Sequence, residues 1–527
     1  MSLPRARAKI HPIIIVPAIT ATGLTDWYPS IPAGVWSASK LAFSDYARMM
    51  LYPSLPAPVA GSVSAGVYYE ADQPSLIRPS QSMGIIYDDL VADLRHNLSY
   101  DDVPVQPVYT FAYDWRQDNF MTIKRLASFI DEVIERTRLM PREAGAVEGE
   151  VCDAVDLVGH SMGGCVIAGC LAAGLVGEGA HCKVRRVVTL GTPFRGATAA
   201  LTKLATGLGT LTGRGAKERE RAAARVTPSV YQLLPTFGGA IADEMRGAAP
   251  GGPGLTADEL FAVVSTQPAI ISTLASALQI HDPSGELSLD GAAARVKAAR
   301  TIGELLRSAK AFQSLVNSVD PLILRWPSSC DDRHASTPGG WLAIVGAGEK
   351  TQISARLARE GSEPPSLDFS GGTCGEGWDG LSQFTGDETV PMAGAIPPWR
   401  ESWRHTIVLQ RSDFAWLGEM GDGFLADQLG FHSALPLLNL AQRWIVNFLR
   451  PHWSSAPGVH QHGKLWARHA PDYWDSPDGE SVLLHLQSLA STRARNELLA
   501  ESVRSLAQEF IPGVVVETPP NGWPALR

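Results

Sequence analysis

The sequence holds a serine in a setting that is typical of an activated nucleophile. Residues 159–163 read Gly-His-Ser-Met-Gly, a pattern in which the serine occupies a sharp turn between a strand and a helix. Ala-Val-Asp-Leu-Val precedes the pattern at 154–158, and small apolar residues follow it at 163–175. A buried strand and a closely packed helix are therefore expected on either side, and Ser161 is predicted to be the nucleophile.

A serine hydroxyl is a weak nucleophile at neutral pH and needs a basic partner, which in turn needs a carboxylate to orient it. After such a turn, the chain order is serine, then acid, then histidine. Asp387 lies in the Gly- and Pro-bounded stretch 386–391, as expected for a catalytic loop at a strand end, and is the predicted acid. Asp379 in Gly-Trp-Asp-Gly and Asp422 in Gly-Asp-Gly are better explained as turn residues.

His432 is the predicted general base, because it precedes the last amphipathic helix at a loop position that can reach Ser161. His405 is the main alternative, but it begins a strand-like segment, where a structural histidine is expected. His160 is predicted to point away from the neighbouring Ser161 and to pack or hydrogen-bond locally. The oxyanion hole is predicted to use the backbone N–H groups of Met162 and Ile19.

Short apolar runs alternate with helix-like segments through the first 195 residues, a pattern that predicts a mostly parallel sheet covered by helices on both faces. The predicted strands are 13–16, 108–112, 155–158, 187–190, 341–345 and 406–409. Apolar residues at helical spacing predict a crossover helix within 121–140 and a final helix near 437–449.

The segment 196–340 is rich in Ala, Leu and Gly, carries no convincing strand, and is predicted to be a helical cap. The predicted organisation is a first core part at 1–195, the cap, a second core part at 341–450 and an extension of unassigned role at 451–527. The uncharged stretch 260–280 is predicted to be a cap helix broken near Pro268. It could be a lid over an acyl site or a helix buried against the core.

The composition excludes several classes of protein. A net charge of -9 gives no basic face for nucleic acid, and none of the six cysteines forms a Cys-x-x-Cys pair, so neither a metal nor another cofactor is expected. Most cysteines are expected to be buried thiols, with a disulfide between Cys330 and Cys374 left open. The apolar N-terminal run is interrupted by Pro17 and makes a poor signal peptide, so a cytoplasmic location is expected.

Several motifs occur together in this chain. They are Ile-Ile-Ile-Val-Pro-Ala-Ile at 13–19, Ala-Tyr-Asp-Trp-Arg at 112–116, Gly-His-Ser-Met-Gly-Gly at 159–164, Leu-Gly-Thr-Pro-Phe at 190–194, Pro-Ser at 228–229, Leu-Leu-Pro at 233–235, and Gly-Asp-Glu-Thr-Val-Pro at 386–391. With these motifs the chain resembles the lecithin:cholesterol acyltransferase-like branch of the α/β-hydrolases, which includes phospholipases and acyltransferases. Ala18 departs from the family pattern, where glycine is usual.

The resemblance implies acyl chemistry on a small-molecule or lipid-like ester, with peripheral contact to a membrane or lipid surface as one option. Hydrolysis through an acyl-enzyme is the first interpretation. Transfer of the acyl group to an alcohol by the same three residues is the second, and a catalytically silent binding module is a third of another class. Asp114 and Arg116 are interpreted as a structural ion pair.

Overall fold

The computed structural model describes part of the 527-residue chain. The described residues are 10–37, 50–51, 77–99, 105–140, 152–206, 218–242, 255–280, 285, 287, 290–324, 340–359, 365–369, 386–399, 406–410, 429–449, 516–517 and 525–526. His405, Asp379, Asp422, Cys330 and Cys374 lie outside them. Most of the predicted extension at 451–527 also lies outside them.

The strands and helices of the described residues alternate over most of the chain. The strands are β1 Ile13–Val16, β2 Thr22–Asp26, β3 Ala33–Trp36, β4 Ile77–Ser82, β5 Val108–Thr110, β6 Val155–His160, β7 Val184–Leu190, β8 Ile241–Ala242, β9 Trp341–Ala347, β10 Ala355–Ala358, β11 Ser366–Asp368, β12 Thr406–Gln410, β13 Val516–Glu517 and β14 Ala525–Leu526. The helices are α1 Gly84–Asn97, α2 Asn119–Arg138, α3 Met162–Ala172, α4 Thr198–Ala205, α5 Glu218–Arg225, α6 Pro228–Tyr231, α7 Ala257–Ser265, α8 Pro268–Ile280, α9 Gly291–Asn317, α10 Met392–Ala395, α11 Phe431–Ala434 and α12 Asn439–Leu449.

Six strands form the central sheet in the order β12-β9-β7-β6-β1-β5, and every neighbouring pair is parallel. These are the six strands that the sequence predicts. Their boundaries differ slightly, since β5 ends at Thr110 and β6 continues to His160. Side chains of β1, β6 and β9 are buried along their whole length, as expected for strands covered on both faces. The α/β-hydrolase type of sheet is therefore confirmed.

The right-handed rule for parallel crossovers determines which face of the sheet each helix covers. The connections through α2 and α3 run towards the β12 edge, whereas the connection through α1 runs towards β5, so α1 covers the opposite face. The final helix α12 packs against α1, and α9 packs over α3. Because all six strands are parallel, their carboxyl ends meet at one edge, where the loops after β1, β6, β9 and β12 come together.

Three small sheets among the described residues were not predicted from the sequence, and the smallest is the antiparallel pair of β13 and β14. β3, β2 and β4 form an antiparallel sheet. β11, β10 and β8 form a mixed sheet, in which β10 pairs antiparallel with β11 and parallel with β8. β2 and β4 contain Thr, Gly, Pro and Ser and are only partly buried, so they lack the apolar run that marks a core strand. β8 has two residues, which is too short for any periodic signal, although it falls within the segment predicted to be helical.

The described part of 196–340 is otherwise helical. α7 and α8 occupy the uncharged stretch and are separated by a break before Pro268, as the sequence predicts. No single helix among the described residues has the length and apolarity to span a membrane; α7 and α8 pass such a test only together and are bent by 56°. Leu274 of α8 is fully buried, and α8 packs mainly on α9.

Four of the six cysteines lie within the described residues, namely Cys152, Cys165, Cys170 and Cys182. All four are buried free thiols, as expected from the sequence. Burial raises the pKa of Cys152 to about 11 and that of Cys170 to about 12. A thiol with a raised pKa is a poor nucleophile at neutral pH, so these cysteines act as small apolar side chains in the core.

Candidate active site

Ser161 sits on a strained turn between β6 and α3. Its backbone has φ 54° and ψ −124°, a conformation that costs a non-glycine residue energy and recurs at functional sites. The turn is tight because α3 starts close to β1: a Cβ added to Gly163 would lie 2.1 Å from the Val16 carbonyl oxygen, and one added to Gly164 would lie 1.9 Å from Thr192 Oγ1. Glycine is therefore required at both positions.

His432 bridges Ser161 and Asp387. Its Nε2 lies 2.9 Å from Ser161 Oγ, and its Nδ1 lies 2.6 Å from Asp387 Oδ2. Ser161 directly follows β6, Asp387 lies between β11 and α10, and His432 lies in α11, the first described helix after β12. Gly346, near the carboxyl end of β9, lies against Asp387. The structure therefore brings together the predicted nucleophile, acid and base at hydrogen-bonding distances, and all three residues are buried.

The backbone of its own turn fixes the Asp387 carboxylate. Asp387 Oδ1 accepts hydrogen bonds from the N–H groups of Thr389 at 3.1 Å and Val390 at 2.7 Å, which leaves Oδ2 for the imidazole. The His432 N–H also donates to the Asp387 carbonyl oxygen over 3.0 Å. Asp387 and His432 are thus joined through both main chain and side chain, so the imidazole is held with Nδ1 towards the carboxylate.

Glu388 joins the turn around Asp387 to the segment that carries His432. Its Oε2 accepts the Phe431 N–H at 3.0 Å, while its own N–H donates to Thr351 Oγ1 at 2.9 Å. Glu388 has φ 78°, a left-handed backbone that a side chain rarely adopts without compensating contacts. The sequence indicated the turn around Asp387 but gave no sign that its neighbour carries this second link.

Gly191, which directly follows β7, lies against Asp387 and His432. It has φ 53°, and a Cβ added there would lie 2.9 Å from Asp387 Oδ2 and 3.0 Å from His432 Nδ1. Both the backbone conformation and the contact distances therefore favour glycine. The sequence showed Gly191 only as part of a family motif, and its position beside the Asp387–His432 hydrogen bond is a finding of the structure.

His160 makes more than the local contacts that the sequence predicts. Its Nδ1 lies 3.0 Å from Tyr87 Oη, and its Nε2 lies 3.0 Å from the carbonyl oxygen of His432. The rings of His160 and His432 have centroids 5.3 Å apart. Burial, together with the neighbouring His432, lowers the pKa of His160 to about 3, so the ring is neutral at physiological pH.

The loop after β1 lies beside the start of α3. Residues 18–21 form a turn in which the Ala21 N–H donates to the Ala18 carbonyl oxygen over 3.2 Å, with Thr20 at φ 65°. The Ala18 N–H donates to Tyr87 Oη at 2.9 Å. The predicted oxyanion donors, Ile19 and Met162, form no hydrogen bond through their N–H groups within the described residues, and Met162 is the first residue of α3.

Asp114 and Arg116 form a fully buried ion pair, which agrees with the structural role predicted for them. Arg116 Nε and Nη2 donate to the two oxygens of Asp114 at 2.9 and 2.7 Å. Burial alone would raise the pKa of Asp114, but the Arg116 guanidinium holds it below its usual value. Trp115 lies between Asp114 and Arg116 in the chain, and its carbonyl oxygen accepts a hydrogen bond from the Ser229 hydroxyl at 2.6 Å. This bond joins the loop to α6.

Residues 80–262 match the model of the lecithin:cholesterol acyltransferase family. The match confirms the resemblance found in the motifs and supports an ester-acting enzyme of lipase or acyltransferase type in general. Ser161 lies inside the matched range, whereas Asp387 and His432 lie beyond it.

No curated protein sequence matches the chain. Among solved structures, it is similar to one described as "The crystal structure of Tle4-Tli4 complex". That similarity has 14% sequence identity and a TM-score of 0.45, and it covers 74% of this chain and 89% of the other.

Proposed function

We propose that the chain is a serine hydrolase that cleaves carboxylic esters of apolar or lipid-like substrates through an acyl-enzyme. The observation that carries the proposal is the continuous hydrogen-bonded path from Ser161 Oγ through His432 to Asp387. This arrangement is the one required to make a serine hydroxyl nucleophilic near neutral pH. The family match supports an ester as the substrate class.

The proposed reaction has two halves. Ser161 Oγ attacks the ester carbonyl carbon while its proton passes to His432 Nε2, and the N–H groups of Met162 and Ile19 face the developing oxyanion. The bond to the alcohol oxygen then breaks, and the alcohol leaves with the proton from Nε2. Water next gives a proton to Nε2 and attacks the acyl carbon, and release of the acid returns the proton to Ser161.

Acyl transfer is the second candidate function. Ser161 and His432 are only 4% and 7% exposed, so an alcohol bound in the site would exclude water from the acyl-enzyme and become the second nucleophile. The same three residues serve that reaction, because an alcohol delivers its proton to His432 Nε2 as water does. The two candidates differ in the product, which is a free acid in one case and a new ester in the other.

A two-part experiment tests the proposal. A fluorophosphonate probe should label wild-type protein on Ser161 and should leave Ser161→Ala unlabelled, as read by peptide mass spectrometry. A chain-length series of esters and a mixed lipid extract, with and without an alcohol acceptor, should yield the free acid or the new ester. Ser161→Ala should lower kcat by at least ~10³-fold. Labelling of a different serine would contradict the assignment.

Two further substitutions test the partners of Ser161. His432→Ala and Asp387→Asn should each reduce kcat strongly, and combining either with Ser161→Ala should add little, because the three residues act as one unit. His405→Ala and Asp379→Asn are the matched controls, since both are the alternatives that the sequence offers. An equal loss at His405 would show that the base has been assigned wrongly.

A further inference from the structure

A second hydrogen-bonded path runs behind the proposed active site. The Ala18 N–H meets Tyr87 Oη at 2.9 Å, Tyr87 Oη meets His160 Nδ1 at 3.0 Å, and His160 Nε2 meets the His432 carbonyl oxygen at 3.0 Å. All three contacts are buried. The path therefore joins the loop after β1, helix α1, the nucleophile turn and the base loop, which are four separate segments of the chain.

The partners at the two ends determine the direction of every bond. A carbonyl oxygen only accepts, so His160 must carry a proton on Nε2 to bond with His432. A neutral ring then has Nδ1 free of a proton, and Nδ1 must accept the hydroxyl proton of Tyr87. The Tyr87 oxygen in turn accepts the Ala18 N–H, which is a donor. One protonation state of His160 satisfies all three bonds.

The two ends of the path touch the groups on which catalysis would depend. Ala18 precedes Ile19, the proposed oxyanion donor, and the His432 carbonyl belongs to the proposed base. Resting on the proposed function, we propose that Tyr87 and His160 are positioning residues that align the base and the oxyanion loop with Ser161. In this role, His160 takes no proton from Ser161; it remains neutral in its Nε2–H form while His432 cycles between neutral and charged.

A protonated His160 would break the arrangement. Both of its ring nitrogens would then be donors, so Nδ1 would lose its bond with Tyr87. Its positive charge would also lie beside the imidazolium that His432 becomes during the reaction, with ring centroids 5.3 Å apart. The low pKa that burial gives His160 agrees with this requirement. Only one of the two neighbouring histidines is therefore available to accept the proton.

The test substitution is Tyr87→Phe, which removes one oxygen and breaks the path at two bonds while keeping the aromatic ring. We expect kcat for a short soluble ester to fall about 10- to 100-fold with KM changed less than about twofold, because small displacements of catalytic groups affect the transition state more than substrate binding. Tyr231→Phe is the matched control: its buried hydroxyl bonds the Arg225 carbonyl at 2.8 Å and does not touch the path, so kcat should remain within about twofold.

Substitutions at His160 separate positioning from packing. His160→Gln keeps an amide that can accept from Tyr87 and donate to His432, whereas His160→Leu keeps only an apolar volume. We expect His160→Gln to retain clearly more of kcat than His160→Leu at similar thermal stability. Equal kcat values for the two variants, or a Tyr87→Phe variant with wild-type kcat, would overturn the inference. The proposed function would still stand in that case if the probe labels Ser161.

A measurement on the wild-type protein keeps the inference testable if Tyr87→Phe fails to fold. Histidine ¹⁵N shifts, with the His160 signals assigned by their loss in His160→Gln, should report a neutral ring protonated on Nε2 between pH 6 and 8. A ring protonated on Nδ1, or a charged one, would overturn the inference. Wild-type protein that neither labels on Ser161 nor turns over any ester would instead contradict the proposed function itself.

Discussion

At the scale of residues, the proposed site depends on contacts that no single motif specifies. Asp387 and His432 are 45 positions apart in the chain, and His432 and Ser161 are 271 apart. Gly191 lies beside the bond between Asp387 and His432 and belongs to neither loop. Because glycine has no side chain, Gly191 leaves room for the hydrogen bond between Asp387 and His432.

Gly191→Ala should therefore reduce activity more than backbone strain alone would. Gly191 and Gly179 have nearly the same backbone, with φ 53° and 55°, but an added Cβ meets no atom within 4 Å at Gly179. Each alanine should lower the free energy of unfolding by about 1–2 kcal/mol through the left-handed strain. Only Gly191→Ala should also lower kcat, because its Cβ displaces Asp387 or His432.

Thermal unfolding and steady-state kinetics on the two variants check this prediction. A stability loss is expected in both variants, and it should be the larger in Gly191→Ala because its Cβ also meets Asp387 and His432. The kcat loss should be confined to Gly191→Ala. A kcat loss of the same size in Gly179→Ala would show that backbone strain, rather than contact with the Asp387–His432 pair, is responsible.

The sequence predicted the three residues Ser161, Asp387 and His432 because chain order and turn composition leave few candidates. It did not predict Tyr87, because a tyrosine on a helix with ordinary periodicity carries no local signal of a partner 73 residues away. His160 was recognised as buried and bonded, but its contact with the His432 carbonyl arises only when the loops after β6 and β12 meet. Distant partners of this kind depend on the fold and not on neighbouring residues.

At the scale of elements, the sequence predicted the strands of the central sheet and missed the strands that are half-exposed. Most residues of the six central strands are apolar and buried. The β2–β3 hairpin instead mixes apolar and polar residues irregularly and contains an exposed turn. That turn carries Trp27, Tyr28 and Ile31, which are 53%, 78% and 82% exposed. Large apolar side chains grouped on one exposed turn indicate a contact surface.

The hairpin turn is predicted to contact a lipid surface. The hairpin that carries this turn follows the proposed oxyanion loop, and it is joined to that loop by Trp36 of β3, whose Nε1–H donates to the Thr20 carbonyl oxygen at 2.6 Å. Arg78 lies 6.0 Å from the centre of the Trp27 ring, and aromatic and basic side chains together suit the interface between water and lipid. Trp27→Ala combined with Tyr28→Ala should weaken binding to vesicles.

Vesicle sedimentation and two substrates check this prediction. The double variant should bind phosphatidylcholine vesicles several-fold more weakly and should hydrolyse a vesicle-borne ester more slowly, with unchanged kcat/KM for a short soluble ester. Leu139→Ala is the matched control: Leu139 is 82% exposed and follows the end of α2, at the edge of the sheet opposite the site. Equal vesicle binding by all three proteins would rule out this surface.

At the scale of the whole molecule, the two edges of the sheet have different roles. The carboxyl edge holds the proposed site, while the amino edge holds buried polar groups that have no access to it. There, Arg185 pairs with Asp156 through a 2.9 Å bond from Nε to Oδ1, and Arg185 and Arg186 donate to the last carbonyls of α12. Cations at the end of a helix stabilise it, so this pairing anchors the final helix to β6 and β7.

His11 is part of this amino edge and should make the fold sensitive to acid. Burial, with the nearby Arg185, lowers the pKa of His11 to about 4, below its value of about 6.5 in the unfolded chain. Between pH 6.5 and 4 the unfolded chain thus binds a proton at this residue that the folded chain does not. The contribution to stability is complete above pH 6.5 and is lost progressively as the pH falls towards 4.

The expected outcome is that His11→Gln removes this dependence. Glutamine keeps a donor for the Ala154 carbonyl oxygen, which His11 Nδ1 contacts at 3.2 Å, and it does not titrate. The free energy of unfolding of the variant, measured by urea denaturation across this range, should fall less steeply than that of the wild type, by up to about 1.4 kcal/mol per pH unit.

Other buried groups also have shifted pKa values, since burial raises the pKa of Asp93 to about 6 and lowers that of His160. Both groups are present in wild type and in His11→Gln, so the difference between the two proteins reports His11 alone. Parallel slopes for wild type and His11→Gln would show that His11 is protonated equally in the folded and unfolded states.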